Sequence, residues 1–166
     1  MDILELIRSR RSIRKYKDIP VKYEDIMKIL DAGRWAPSGL NNQPWRFVII
    51  EQRHMIEKIS ELTKYGDLIL GAKALIVVFL DCEVEYNRTK DCQAIGACIE
   101  NMLLAAQGIG LGACWCGEIL NRGQEVGTLL DVPGTYELMA VITLGYPAEK
   151  GESTRDNLNQ MIYDEI

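Results

Sequence analysis

Residues Asp91 to Gln107 read as a helix that is apolar on nearly every side. Such a helix cannot rest a face on water and has to be covered all round, by its own chain or by a partner. Glu100, Asn101 and Gln107 interrupt the apolar run from Ile95 to Ile109, which predicts a buried helix and no membrane span. Gly108, Gly110 and Gly112 end it. The chain has 166 residues, 48% of them apolar, which is enough for a single domain over residues 1–166 with a core of its own.

Ala74 to Leu80, "ALIVVFL", is continuously apolar, as in a strand covered on both faces. Shorter strands are expected at Arg46–Ile50, Leu111–Trp115 and Leu138–Leu144. A first helix starts at Asp2, with Glu5 completing a capping box and Ile3, Leu6 and Ile7 as its apolar face. A second runs from Tyr23 to Arg34 with Ile26, Ile29 and Leu30 on one side, and Pro37 keeps Ala36 out of it. Further helices are expected at Met55–Leu62 and Gln124–Leu130. The pattern predicts an α+β domain of about four strands and five helices.

Side chains able to carry chemistry unaided are scarce. The only histidine, His54, sits at a helix start, and no serine lies in a G-x-S-x-G setting. The five cysteines are scattered, with no zinc or iron–sulfur spacing and no apolar leader before them, so a reduced, cytoplasmic protein is expected. Cys114 and Cys116 are one residue too close for the usual thiol–disulfide motif and read as strand cysteines. Gly108, Gly110 and Gly112 follow a helix and precede a strand, the reverse of a dinucleotide loop. A bound cofactor fits this poverty of acids, bases and nucleophiles.

Two polar stretches could hold one. The first is "RRSIRKY", residues 10–16, a basic cluster in a chain of net charge -5, which argues against a general nucleic-acid binder. Two guanidinium forks and the Ser12 hydroxyl can surround a phosphate, although the cluster alone also reads as a solvated helix end. The second is "PSGLNNQPW", residues 37–45, whose amides offer donors and acceptors to a heterocycle edge or to their own backbone. Gly117, after Trp115-Cys116, would let a planar ligand approach the main chain.

Taken in order, "RRSIRKY", "APSGLNNQPWRFVI", "AAQGIGLGACWCGEI" and "ITLGYPAEKGESTR" resemble the nitroreductase family of FMN-dependent oxidoreductases over essentially the whole chain. The resemblance implies a nitroreductase-like α+β fold, a central, mostly antiparallel sheet flanked by helices, in an intertwined homodimer with shared FMN sites. The apolar helix would form the dimer core, and the end from Met161 to Ile166 would embrace the partner. By position, Arg10, Arg11, Ser12 and Arg14 would hold the FMN phosphate and ribityl chain, joined by Arg155. Pro37, Ser38, Leu40, Asn42 and Gln43 would line the flavin from the other subunit, and Cys116 and Gly117 would approach its reactive edge. NADH or NADPH would reduce the flavin, and a small acceptor such as a nitroaromatic or quinone would reoxidise it. A carrier that only binds FMN, or a specialised branch such as a reductive dehalogenase, carries the same motifs.

Overall fold

The computed structural model of the chain describes residues 2–164. Four strands, β1 (Trp45–Ile50), β2 (Ala74–Asp81), β3 (Gly112–Cys116) and β4 (Tyr136–Gly145), form one sheet in the order β1-β2-β4-β3. Every pairing is antiparallel. Six α-helices surround it among the described residues: α1 (Ile3–Ser9), α2 (Tyr23–Arg34), α3 (Arg53–Ser60), α4 (Gly66–Gly71), α5 (Arg88–Gly108) and α6 (Gly123–Leu129).

The unbroken apolar run of β2 has a simple cause. Ile76, Val78 and Leu80 enter one core, with α2 and α5, while Leu75, Val77 and Phe79 enter a second, with α3, α4 and α6. Alternate side chains point to opposite faces and both faces are covered, so residues 74–80 are all apolar. β1 and β3 form the two edges of the sheet.

Within the single chain, helix α5 is covered on one side. Its buried residues, among them Ala94, Ile95, Cys98, Ile99, Met102 and Leu103, form one stripe against the sheet and α2. Gly96, Glu100 and Leu104 on its other side are only half-buried. Gly33 lets α2 approach closely, since a Cβ there would lie 2.7 Å from Met102 Cγ. Asn101 Nδ2 donates to Ala32 O at 3.2 Å and so occupies a carbonyl at the end of α2.

Two expectations are corrected. The Asp2 side chain makes no capping hydrogen bond, and α1 buries no residue; Ile3 and Ile7 lie exposed. Helix α4 has no counterpart in the pattern because it is six residues long and bounded by glycines, leaving no full helical period to read. Of the C-terminal end, Met161, Ile162 and Tyr163 are exposed, while residues 165 and 166 lie outside those described. No helix among the described residues is long and apolar enough to cross a membrane.

Candidate functional site

The basic segment does not continue α1. It leaves the helix and runs extended along the free edge of β3. Ser12 pairs in parallel with Ala113, Ile13 N donates to Ala113 O at 2.9 Å, and Tyr16 pairs with Pro147. Two glycines make this approach possible. A Cβ on Gly112 would stand 2.8 Å from Ile13 Cβ, and one on Gly145 would stand 2.7 Å from Tyr16 Cδ1. Ile13 is buried in its notch. The Tyr16 hydroxyl donates to Ile13 O at 2.5 Å and shares a 2.7 Å hydrogen bond with Thr143 Oγ1. Burial pushes the Tyr16 phenol well above its ordinary pKa, so it stays neutral.

With Ile13 and Tyr16 fixed inward, Arg14 lines two adjoining grooves at the end of β3. One, of about 260 Å³, is bounded by Arg14, Tyr65, Leu68, Trp115, Cys116 and Gly117. The other, of about 560 Å³, adds Lys15, Tyr16 and Lys64. Volumes of this order suit a small organic ligand. A Cβ on Gly117 would meet nothing within 4 Å, so its main chain faces open space. Glu118 fastens the outer wall: its Oε2 accepts from Thr63 Oγ1 at 2.5 Å and from Lys64 N at 3.2 Å. The Thr63 hydrogen bond is the main reason its carboxyl sits below the usual range.

Cys114 and Cys116 project from the same face of β3 beside Arg14. The neighbouring Cys116 thiol is the main influence that lowers the Cys114 thiol, with Arg14, Ser12 and Arg10 adding to it. Its neighbour Cys114 and burial together raise Cys116.

The other expected residues are dispersed. Arg10 forms an ion pair with Glu100 of α5 at 3.5 Å. Arg11 donates to the carbonyls of Arg8 and Arg10, each at 2.7 Å, and lines a separate cavity of about 320 Å³ with Lys150 and Gly151. Arg155 lies in the exposed tail, bonded to Ser153 Oγ at 3.0 Å, and lines neither groove.

The 37–43 loop stands at the opposite edge, leading into β1. Three strand spacings separate the edges, about 14 Å. The loop is built by strain and one buried acid. Leu40, Asn41 and Gln43 have φ of 53°, 56° and 48°. Asn42 Nδ2 donates to Asp91 Oδ1 at 2.7 Å, and Tyr86 N and Asn87 N donate to Asp91 Oδ2 at 3.0 Å each. Asn42 is therefore turned inward as a strut, whereas Leu40 is 85% exposed. Burial alone would raise the Asp91 carboxyl, but the hydrogen bonds from Asn87, Asn42 and Tyr86 outweigh it and hold the group below its ordinary range.

The family model described as the Nitroreductase family matches residues 7–65 and 62–146. A provisionally named NADH dehydrogenase/NAD(P)H nitroreductase of Methanothermobacter thermautotrophicus is 41% identical over 158 residues, covering 94% of this chain and 82% of that protein. Its namesake in Archaeoglobus fulgidus is 38% identical over 152 residues, covering 90% and 87%. A crystal structure of a provisionally named nitroreductase in complex with FMN, from Desulfovibrio desulfuricans, superposes with a TM-score of 0.96 at 44% identity, covering 100% of this chain and 98% of that one. The chain belongs to the nitroreductase family.

For this nitroreductase the groove fits FMN on its own chemistry. Arg14, Lys15 and Lys64 offer positive charge for a phosphate, Tyr65, Leu68 and Trp115 offer apolar surface, and Gly117 offers bare main chain. Sequence reasoning missed Thr63, Tyr65, Leu68 and Glu118 as wall residues. Nothing local in the sequence places the stretch Lys64-Tyr65-Gly66-Asp67 beside β3. Its position depends on the Thr63–Glu118 contact, which joins residues 55 apart and leaves no local signal.

Proposed function

We propose that this nitroreductase passes hydride equivalents from NADH or NADPH through FMN to a small acceptor, such as a nitroaromatic or a quinone, by a ping-pong route. The observation that carries the reading is the groove where Arg14 meets the bare main chain of Gly117. When bound, FMN supplies the hydride chemistry that the side chains lack. Arg14, with Ser12 on the same segment, holds the phosphate and ribityl chain and favours negative charge on the ligand. Tyr65, Leu68 and Trp115 exclude water from one face of the ring. No side chain of the chain need donate or remove a proton in this scheme.

The Pro37–Gln43 loop completes the site from a second copy, because its own groove lies at the far edge of the sheet. Asp91 presents that loop by holding Asn42. The half-buried side of α5 is where the second copy covers the first.

The test is an anaerobic visible spectrum of protein loaded with FMN and freed of excess, then titrated with each nicotinamide nucleotide. Retained flavin absorbance that bleaches with either nucleotide supports the reading. Retained flavin that neither nucleotide reduces would replace it with a carrier, and colourless protein would remove the cofactor altogether.

A further inference from the structure

The scheme above makes no use of Cys114 and Cys116, both of which are free and line the smaller groove. They lie at positions i and i+2 of β3, so their side chains leave the same face of an edge strand. Cys116 Sγ leans back along the strand to 3.8 Å from the Cys114 carbonyl oxygen, and Cys114 Sγ leans forward to 3.9 Å from the Trp115 carbonyl oxygen.

Their spacing rules out one partnership and favours another. On extended backbone, Cβ atoms two residues apart stand about 6.6 Å from each other. A disulfide requires about 3.5–4.5 Å, so the pair cannot bond directly without breaking the strand. Two thiolates on opposite sides of a soft ion, bonded at about 2.3 Å each, need their sulfurs about 4.6 Å apart, which leaning side chains reach. Zinc would demand four ligands, and the described residues hold no group of three His, Cys, Asp or Glu able to bind a metal. The pair therefore selects a soft cation content with two sulfurs, and Cu(I) is the first-row ion that matches. Two thiolates around Cu(I) leave one net negative charge, and Arg14, on the wall of the same groove, meets it.

We infer that Cys114 and Cys116 form a two-sulfur site for Cu(I) that opens into the Arg14 groove, so that the ion and a groove ligand exclude each other. Binding releases the two thiol protons and changes no oxidation state. The ion site stands on strand geometry; only its rivalry with FMN rests on the functional reading above.

The test is an anaerobic titration of the full chain with Cu(I), supplied as its acetonitrile complex against a chromophoric Cu(I) chelator. It is run in a background carrying Cys82→Ser and Cys92→Ser to remove the more accessible thiols. One ion per chain is expected, with two sulfur neighbours by X-ray absorption. Cys114→Ser and Cys116→Ser should each abolish binding at stoichiometric concentration, with folding checked by circular dichroism. If either serine variant does not fold, the X-ray absorption result decides the ligand count on the background protein. With FMN at about a hundred times its own dissociation constant, exclusive occupancy weakens apparent Cu(I) affinity about a hundredfold. No binding by the background protein, full binding by a folded single-serine variant, or nitrogen and oxygen neighbours only would overturn the site. Cu(I) affinity unmoved by bound FMN would overturn the shared groove. A chain that binds Cu(I) but no FMN would instead overturn the functional reading and leave the ion site standing.

Discussion

Gly112→Ala tests whether the sheet edge positions the arginine segment. The added Cβ would stand 2.8 Å from both Cβ and Cγ2 of Ile13 and 3.0 Å from its Cγ1. Ordinary carbon contacts begin near 3.5 Å, so a gap of roughly 0.7 Å must open. Ile13 Cβ is not the end of a flexible side chain, and its main chain is pinned to Ala113 by a 2.9 Å hydrogen bond. The segment itself has to move. Overpacking of this kind costs about 1–3 kcal/mol, against which the loss of glycine freedom in the unfolded chain returns about 0.4–1 kcal/mol, so net destabilisation of up to about 2.6 kcal/mol is expected. Moving the segment also moves Ser12 and Arg14. Loss of one charge-assisted contact to a phosphate weakens binding by about 1.5–3 kcal/mol, or roughly 10- to 150-fold. Urea denaturation and flavin fluorescence titration read the two effects. Gly134→Ala is the control, because a Cβ there meets nothing within 4 Å, and it should change stability by less than about 0.5 kcal/mol. If Gly112→Ala matched Gly134→Ala in both assays, the notch would have no part in placing the clamp.

Other expectations follow from the same geometry. Arg14→Ala should weaken FMN binding by about 1.5–3 kcal/mol, whereas Arg11→Ala, which faces another cavity, should leave it within about twofold; equilibrium dialysis separates them. Asp91 has a lowered carboxyl pKa in the folded chain. Its contribution is therefore complete above the unfolded value of about 3.9 and disappears as pH falls through the folded value, so Asp91→Asn should flatten the acid limb of a stability-versus-pH curve. Burial pushes the Cys98 thiol up to about 12, so iodoacetamide near neutral pH should leave it unmodified until the chain unfolds, as peptide mass mapping would show.

How much of this was legible depended on whether the signal was local. β2 was, because burial on both faces leaves seven apolar residues in a row from Ala74 to Leu80. Helix α2 matched from Tyr23 to Arg34, since Pro37 and one apolar stripe bound it. The basic segment was visible as a charge cluster, but not its division of labour. That division follows from the notches at Gly112 and Gly145, which turn Ile13 and Tyr16 inward, and from the carbonyls of Arg8 and Arg10, which engage Arg11. Asn42 was legible as an amide and not as a strut, because Asp91 lies 49 residues away. A pattern reading sees composition along the chain; it cannot see which distant carboxylate an amide will meet.

The sheet order leads to the sharpest prediction about assembly. The clamp sits on the β3 edge and the loop on the β1 edge, with β2 and β4 between them. A chain whose site needs both must borrow one from a second copy, and a two-fold pair lets each copy lend its loop to the other. Two defects in different copies should then complement. Arg14→Ala removes the clamp. Leu40→Asp places a carboxylate at the loop tip, where the side chain is 85% exposed and φ is 53°, a conformation Asp tolerates better than Leu. Each variant alone should bind FMN poorly. After subunit exchange, about half of the pairs are mixed, and each mixed pair holds one site with both defects and one with neither, so about a quarter of all sites recover full affinity. Flavin titration of the exchanged mixture would show that tight fraction. If mixing produced no tight sites while light scattering showed exchanged pairs, the loop would have to serve its own chain, and the split site would be wrong.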